Sequence, residues 1–544
     1  MSTSSTSADA SHEHTIKETI ISLLISFVMA LVFRSYVVEA FVIPTGSMAP
    51  TLLGKHTLHR SDHTGYEWAQ NPTYLSSNRL PFPVQGIEYG KDPISATDPM
   101  TTSKFNQPSD LTARRNGVST QPGSKRLLSG DRILVQKYLY NIFPPTRYDV
   151  VVFKNPTNPS ENFIKRLIGL PNEQVLIADG DIFSRPLDAG GEPTGDGMYK
   201  IRRKPHRIME SLWRTIFSSE YTPRDAPGGF KMPWRLGESW DARDGTLVHE
   251  GSGESRIEWD AEAWPVWDWE PYNEAAIGTH LRENHQNFPV SDVRVRAGVE
   301  PANDGTDVAM SIIARGHEFE ARIVGTDAII RMRRAGANIT PGEWTTVASG
   351  TVTALSGGRV TDLEFWHYDQ KLELHVDGQI VVEHEYDWDA SQRLMNTTGN
   401  SRDWYETNSR PDLRKPQSYT RSQPTISMSF GGGPVTLHRA GLDRDIYHRP
   451  VINGARSGHA THPQSAIKLG PDQFFTLGDN SAASSDGRAW FDVNSQVADQ
   501  IDGTLGVVNR DLMLGKAFFV YFPSIYKIFD KIPVPNAGDM RLIR

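Results

Sequence analysis

The run 162-NFIKRLIGLP-171 places two adjacent cations, Lys165 and Arg166, inside an otherwise apolar stretch rich in β-branched and aliphatic side chains. Read as a strand, it puts Phe163, Lys165 and Leu167 on one face and Ile164, Arg166 and Ile168 on the other. Apart from its cation each face is apolar, so at least one cation is drawn toward a low-dielectric environment. An arginine there stays charged and needs a partner. A lysine can lose its proton instead, and then becomes a usable base near neutral pH. Alternation by itself favours a plainer reading, in which both cations lie on a solvated edge strand.

Similar strand signals flank this run. Before it come 131-DRILVQKYLY-140 and 149-DVVVFKNP-156; after it, 173-EQVLIADGDIFS-184 reads as a hairpin with Asp179-Gly180 as its turn. Near the C-terminus 473-QFFTLGDN-480 and 515-GKAFFVYFP-523 continue the pattern. These pieces predict one β-rich domain built from 36–58, 127–185 and 466–530, with a tail over 531–544. Two insertions interrupt it. The first, 59–126, is rich in Pro, Ser, Asn and Thr, and no structure is assigned to it. The second, 186–465, holds most of the tryptophans, including 258-EWDAEAWPVWDWEPY-272, and then regularly spaced strands such as 371-KLELHVDGQIVVEHEY-386. Many short strands with Gly/Asp turns predict a β-sandwich or jelly roll over about 218–443, similar to lectin-like sandwiches at the level of fold alone.

The composition is that of a folded chain of 544 residues, with 22 % charged and 10 % aromatic residues. A formal net charge of -8, with no basic stripe, argues against nucleic acid as a partner. With no cysteine present, disulfides, thiol nucleophiles and thiolate-bound metals are excluded. The 17 histidines show no metal-site spacing, and SHEHT (11–15) and HRSDH (59–63) read as solvated polar residues. A polar tail, 1–16, precedes the apolar run 19-TIISLLISFVMALVF-33. With Lys17 and Arg34 at its ends, 17–35 is expected to be an uncleaved single-pass transmembrane helix, since the residues after it make a poor cleavage site.

Shortly after the apolar run, 41-FVIPTGSMAPTLLGKH-56 presents Ser47 with no neighbour to activate it and no Gly-x-Ser-x-Gly elbow. A serine hydroxyl needs a positioned base, and Lys165 is the candidate. A third stretch, 477-LGDNSAASSDGRAW-490, reads as a tight loop of small hydroxyls with a charge pair, Asp486 and Arg488.

FVIPTGSMAPTL, SGDRILVQK, DVVVFKNP, FIKRLIGLP, GDNSAASSDGRAW and GKAFFVYFP, in this order behind an apolar segment, resemble the successive blocks of bacterial type I signal peptidases, a Ser/Lys-dyad protease family. The resemblance runs from the anchor to Ser184 and from Leu469 to Pro523, and leaves both insertions unexplained. It implies a mainly β fold with a signal-peptidase-type catalytic domain. Ser47 is implied as nucleophile and Lys165 as general base, with the Thr45 hydroxyl and the Ser47 N–H as oxyanion hole. Ser484 would orient the lysine, Arg166–Asp479 and Asp486–Arg488 would be supporting ion pairs, and Ile43 and Met48 would line substrate pockets. No metal or cofactor is implied.

The implied activity is removal of signal peptides from exported preproteins, after small residues in A-x-A-like sites. The expected partners are those signal peptides, membrane lipid, the secretion machinery and, through the inserted domain, envelope glycan. The implied location is the cytoplasmic membrane, with the catalytic domain on its outer side. The loop departs from the usual GDNRDNSxDSR at Ser481, Ala482, Ala483 and Gly487, which points to altered loop rigidity or substrate preference. Self-cleaving repressors share the Ser-Lys arrangement but would carry a DNA-binding N-terminus. The alternative from a different class is a degenerate protease scaffold, anchored in the membrane, whose sandwich binds glycan or protein through its tryptophan-rich edge.

Overall fold

The computed structural model describes residues 17–29, 37–61, 63–70, 98–101, 127–223, 230–268, 287–404, 411–452, 456–523, 526–528, 532–534 and 537–544. Over these the chain is mainly β, and its strand pairs are antiparallel. One eight-stranded sheet draws on chain positions from Val38 to Leu542. Its strands are β1 (Val38–Val42), β2 (Arg132–Gln136), β3 (Val150–Asn155), β4 (Asn158–Gly169), β5 (Gln473–Leu477), β6 (Val508–Asn509), β7 (Met513–Phe522) and β8 (Arg541–Leu542). They lie in the order β1-β2-β7-β3-β4-β5-β6, with β8 beside β7.

The run with two cations is the second half of β4, flanked by β3 and β5: Val150 and Leu477 both face Arg166 across the ladder. It is therefore no edge strand. Lys165 is 3 % exposed and Arg166 fully buried. The sheet's two faces carry separate cores. Val150, Val152 and Ile164 pack with Ile43, Met48 and Leu52 on one side, while Val151, Phe153 and Leu167 pack with Phe474, Trp490 and Val508 on the other.

The Glu173–Ala178 and Asp181–Pro186 strands form the expected hairpin, pairing Ala178 with Asp181. Asp179 (φ 50°) and Gly180 (φ 85°) make the turn, in the left-handed region that a tight hairpin requires. Beyond the hairpin, two sheets stack face to face. One contains Val293–Pro301, Thr361–Tyr368, Lys371–Val376 and Val435–Arg444; the other contains Asp307–Ala314, His317–Val324, Asp327–Arg334 and Thr425–Gly431. Val295, Phe365, Leu374 and Leu437 of the first meet Ile312, Phe319 and Met428 of the second in one core.

Of the tryptophans expected at an exposed edge, Trp259 and Trp264 instead fill this core, Trp267 is half-buried and Trp269 lies outside the described residues. Trp234, Trp259 and Trp264 are buried, and Trp234 meets Trp259 edge-on at 5.3 Å. The indole N–H of Trp259 donates to the Trp264 carbonyl and that of Trp264 to the Lys231 carbonyl, each at 2.7 Å. The ring faces are spent on packing. In the first insertion, Glu67–Gln70 pairs with His56–Arg60, while 71–97 and 102–126 lie outside the described residues.

The expected anchor, 17–35, is described only over 17–29, which is helical and exposed throughout. Thirteen helical residues span about 20 Å, short of the roughly 30 Å of a bilayer's hydrocarbon. Among the described residues no helix is long and apolar enough to cross a membrane.

The hairpin turn is driven into the base of the sandwich. The Asp179 carboxylate accepts from Arg315 Nε (2.6 Å), Arg393 Nε (3.0 Å), Thr397 Oγ1 (3.0 Å) and Ser422 Oγ (3.2 Å). Arg315 also reaches Asp292 at 2.5 Å, and Arg393 reaches Asp181. All of these charged groups are buried. Their desolvation is offset only while the pairing is complete. Asp179→Asn keeps a residue that tolerates the turn but leaves two guanidinium groups short of a carboxylate. It is expected to lower the unfolding free energy by about 3 kcal/mol. Urea denaturation checks this, and an unchanged midpoint would mean that Asp181 and Asp292 alone satisfy both arginines.

Candidate active site

Ser47 lies in the short turn Gly46–Met48 that follows β1. The turn is pinned from the C-terminal loop: Asn480 N–H donates to the Ser47 carbonyl and Asn480 Nδ2 to the Gly46 carbonyl, both at 3.1 Å. Opposite, β4 brings Lys165 Nζ to 2.8 Å from Ser47 Oγ and 3.0 Å from the Ile164 carbonyl, over the Phe163 ring. Burial pushes the lysine's pKa down to about 8, against the pull of the Asp486 and Asp479 carboxylates and with a push from Arg488.

Neither carboxylate is hydrogen-bonded to the amine, because each is already taken. Asp479 grips Arg166 through two bonds of 2.6 and 2.8 Å and accepts from Thr51 Oγ1 at 2.6 Å. Asp486 grips Arg488 at 2.8 and 2.9 Å and accepts the Gly478 N–H at 3.0 Å. Burial works against ionisation of both aspartates, but the bound guanidinium groups outweigh it and hold them below the usual carboxylate range. The result is a lysine near charged groups yet without a counter-ion of its own. Such an amine can be neutral near pH 8 and accept the Ser47 O–H.

The remaining expected residues fall less uniformly. Thr45 is exposed on extended backbone beside the turn, with its side chain capping nothing. The Ser484 hydroxyl is buried next to Ser47 but has no hydrogen-bond partner. It makes no hydrogen bond to the lysine, whose Nζ contacts Ser47 Oγ and the Ile164 carbonyl. Ile43 and Met48, expected to line substrate pockets, are 2 % and 0 % exposed and belong to the core beneath the sheet.

Sequence reading gave no role to Thr51, Asn480, Ser481 or Arg449. Ser481 Oγ accepts from Arg488 Nη1 (2.6 Å) and from the Arg449 N–H (2.9 Å), and the Arg449 carbonyl accepts from Arg488 at 3.1 Å. Arg449 itself pairs at 2.7 Å with Asp268, from within the tryptophan-rich stretch. The small polar loop after β5 is a visible signal for Asn480 and Ser481; nothing in the sequence marks Arg449.

Residues 112–191 match the family model described as signal peptidase, peptidase S26. Three curated proteins called signal peptidase I are similar to this chain. That of Leptolyngbya laminosa is 44 % identical over 68 residues, which cover 11 % of this chain and 33 % of the relative. That of Pseudomonas fluorescens is 32 % identical over 123 residues, covering 19 % and 42 %. That of Pseudomonas aeruginosa is 37 % identical over 108 residues, covering 16 % and 38 %. The chain thus spans less than half the length of these relatives. The resemblance to type I signal peptidases is borne out; the family-model match includes Lys165 but neither Ser47 nor Ser484. Among solved structures, a carbohydrate-binding module, CBM66 from Bacillus subtilis, aligns with a TM-score of 0.23 and 8 % identity, over 39 % of this chain and 96 % of that one. A score that low carries no argument about ligands.

Gly478 stands where the two turns of the site meet. A Cβ there would lie 2.5 Å from the Ser47 carbonyl oxygen and 2.2 Å from Ser484 Oγ. Gly478→Ala is expected to force the turns apart and cost about 1–3 kcal/mol of stability, read as a lower urea midpoint. An unchanged midpoint would show that the loop yields without strain.

Proposed function

We propose that this chain is a membrane-anchored signal peptidase that cleaves exported preproteins with a Ser47–Lys165 dyad. The observation that carries the proposal is the 2.8 Å contact between a buried lysine amine and a serine hydroxyl, in a site whose carboxylates are engaged elsewhere. Ser47 Oγ attacks the scissile carbonyl while Lys165 Nζ takes its proton. The oxyanion is stabilised by the Ser47 N–H and the Thr45 hydroxyl, each worth on the order of 3 kcal/mol of barrier. The ammonium of Lys165 then protonates the leaving amine as the C–N bond breaks. A water that gives its proton to the neutral lysine releases the acyl group, and the proton returns to Ser47 Oγ.

β1 supports the substrate class. It is the terminal strand of its sheet among the described residues and runs directly into the Ser47 turn. An extended peptide added to its free edge would lead its scissile bond to the nucleophile. The N-terminal helix supports the anchor, because Ile20, Ile21, Leu24, Ile25, Phe27, Val28 and Met29 are exposed over most of its circumference, leaving Ser22 and Ser26 on a narrow polar side. On this reading the catalytic domain lies on the outer side of the cytoplasmic membrane. The degenerate-scaffold alternative is not favoured: serine and lysine stand at bonding distance, while Trp259 and Trp264 of the stretch meant to bind glycan are buried.

Cleavage of a precursor with an A-x-A site, in detergent, tests the proposal. Ser47→Ala and Lys165→Ala are expected to lower kcat by about three orders of magnitude or more while keeping the circular dichroism of the parent. Lys165→Arg does not rescue, since a guanidinium keeps its proton. For the parent, kcat/KM rises with pH through an apparent pKa of about 8, because only the neutral amine accepts the serine proton. Undiminished cleavage by both alanine variants, or a flat profile between about pH 7 and 9, overturns the dyad.

A further inference from the structure

Away from the dyad, three ligand-type side chains converge on one point. Glu373 and His375 are two apart in the strand Lys371–Val376 and so share a face. The helix His206–Leu212 brings its first residue against them. His206 Nδ1 lies 3.1 Å and His375 Nε2 2.9 Å from the same oxygen, Glu373 Oε2, and the three atoms are all within 4.8 Å of one another. The other oxygen, Oε1, is held by the Tyr368 hydroxyl at 2.8 Å and Lys371 Nζ at 2.9 Å. Lys371 is itself compensated by Glu383 at 2.7 Å. Trp366 lies nearly parallel to both imidazoles, at 4.9 Å from His206 and 4.3 Å from His375. Glu373 and His375 are buried, while the His206 side chain is 38 % exposed and leaves one side open to water.

We propose that His206, Glu373 and His375 bind a transition-metal dication of the zinc class. Two imidazole nitrogens and one carboxylate oxygen, with an open fourth position, are a donor set suited to that ion. At metal–ligand distances of about 2.0–2.1 Å, tetrahedral donors stand roughly 3.3–3.4 Å apart. The two nitrogen–oxygen spacings need to open by only a few tenths of an ångström, the two nitrogens need to stand about 3.4 Å apart from a present separation within 4.8 Å, and His206, on a short helix at the surface, can supply the movement. A neutral imidazole turns its lone pair to the metal by shifting its proton to the other ring nitrogen; a protonated one releases a proton. Tyr368 and Lys371 hold the far carboxylate oxygen and fix its direction, while Trp366 fixes the planes of both rings.

The site lies at the seam between the two parts of the molecule. The helix packs Ile208, Met209 and Leu212 against Ile168, Val175 and Leu477 of the β-rich domain, while Glu373 and His375 belong to the sandwich. A bound metal therefore ties the segment leaving the hairpin to the outer face of the inserted sheet. A second cluster, Asp181, Asp292, Asp369 and Asp445, offers no such place, because Lys204, Arg315 and Arg393 already sit among its carboxylates.

The test uses the full chain in detergent, without a histidine tag and dialysed against chelator. Titration with Zn2+ by calorimetry is expected to show one equivalent bound with a Kd of about 1 μM or tighter. Co2+ is expected to give the visible absorption of a four-coordinate site, and Cu2+ to quench a fluorescence component that Trp366→Phe removes. His206→Ala, at a partly exposed position, is expected to keep the metal-free unfolding midpoint and to weaken Zn2+ by at least roughly tenfold. His375→Gln should do the same, and if it does not fold, His206→Ala alone decides. Failure to bind Zn2+ at about 100 μM, or equal affinity in His206→Ala, overturns the site.

Discussion

A lysine amine kept without a counter-ion inside a charged neighbourhood is the constraint on which the rest of the site depends. Burial alone would neutralise Lys165, but two carboxylates close enough to pull its pKa upward would undo that if they were free to bind it. They are not free. Arg166 saturates Asp479, and Arg488 saturates Asp486, through paired bonds of 2.6–2.9 Å. The two ion pairs thus act less as bracing than as a means of withholding negative charge from the amine. Their buried positions make that arrangement rigid, since any lost partner would strand a charge.

The same logic extends into the inserted domain. Asp179 and Asp181, at the tip of a hairpin of the β-rich domain, are enclosed by Arg315 and Arg393 of the insertion. The strand that ends the sandwich, Val435–Arg444, runs straight into a segment whose Arg449 joins Asp268 to the loop carrying Asp486 and Arg488. The unusual Ser481 is the joint, accepting bonds from both Arg449 and Arg488. The substitutions in this loop therefore do not leave it slack. They accompany a second support, which a chain without the insertion would lack.

The alternation in 162–169 and the order of the sequence blocks made the strand β4, the hairpin at Asp179-Gly180 and the pair Ser47 and Lys165 legible before any coordinates. Whether Lys165 and Arg166 were buried was not legible, because alternation cannot distinguish a central strand from an edge; only pairing with both β3 and β5 settles it. The tryptophans misled for a related reason. A cluster of indoles reads alike whether it faces sugar or core, and here the N–H groups found backbone carbonyls inside the sandwich. Ile43 and Met48 carried a family expectation of pocket lining into positions that this packing closes.

Local pattern and block order, set by period-two alternation, turn chemistry and residue type, determined the β class, the choice of Ser47 and Lys165 as the candidate pair and the apolar N-terminal run. Only the tertiary structure decided what each charge faces. Ser47 and Lys165 are 118 positions apart, and His206 meets Glu373 across 167. Contacts over such separations depend on which strands pair and which faces stack, and no short-range periodicity encodes that. The charge state of a buried group follows from those contacts, so the chemistry of this lysine was set by the fold around it.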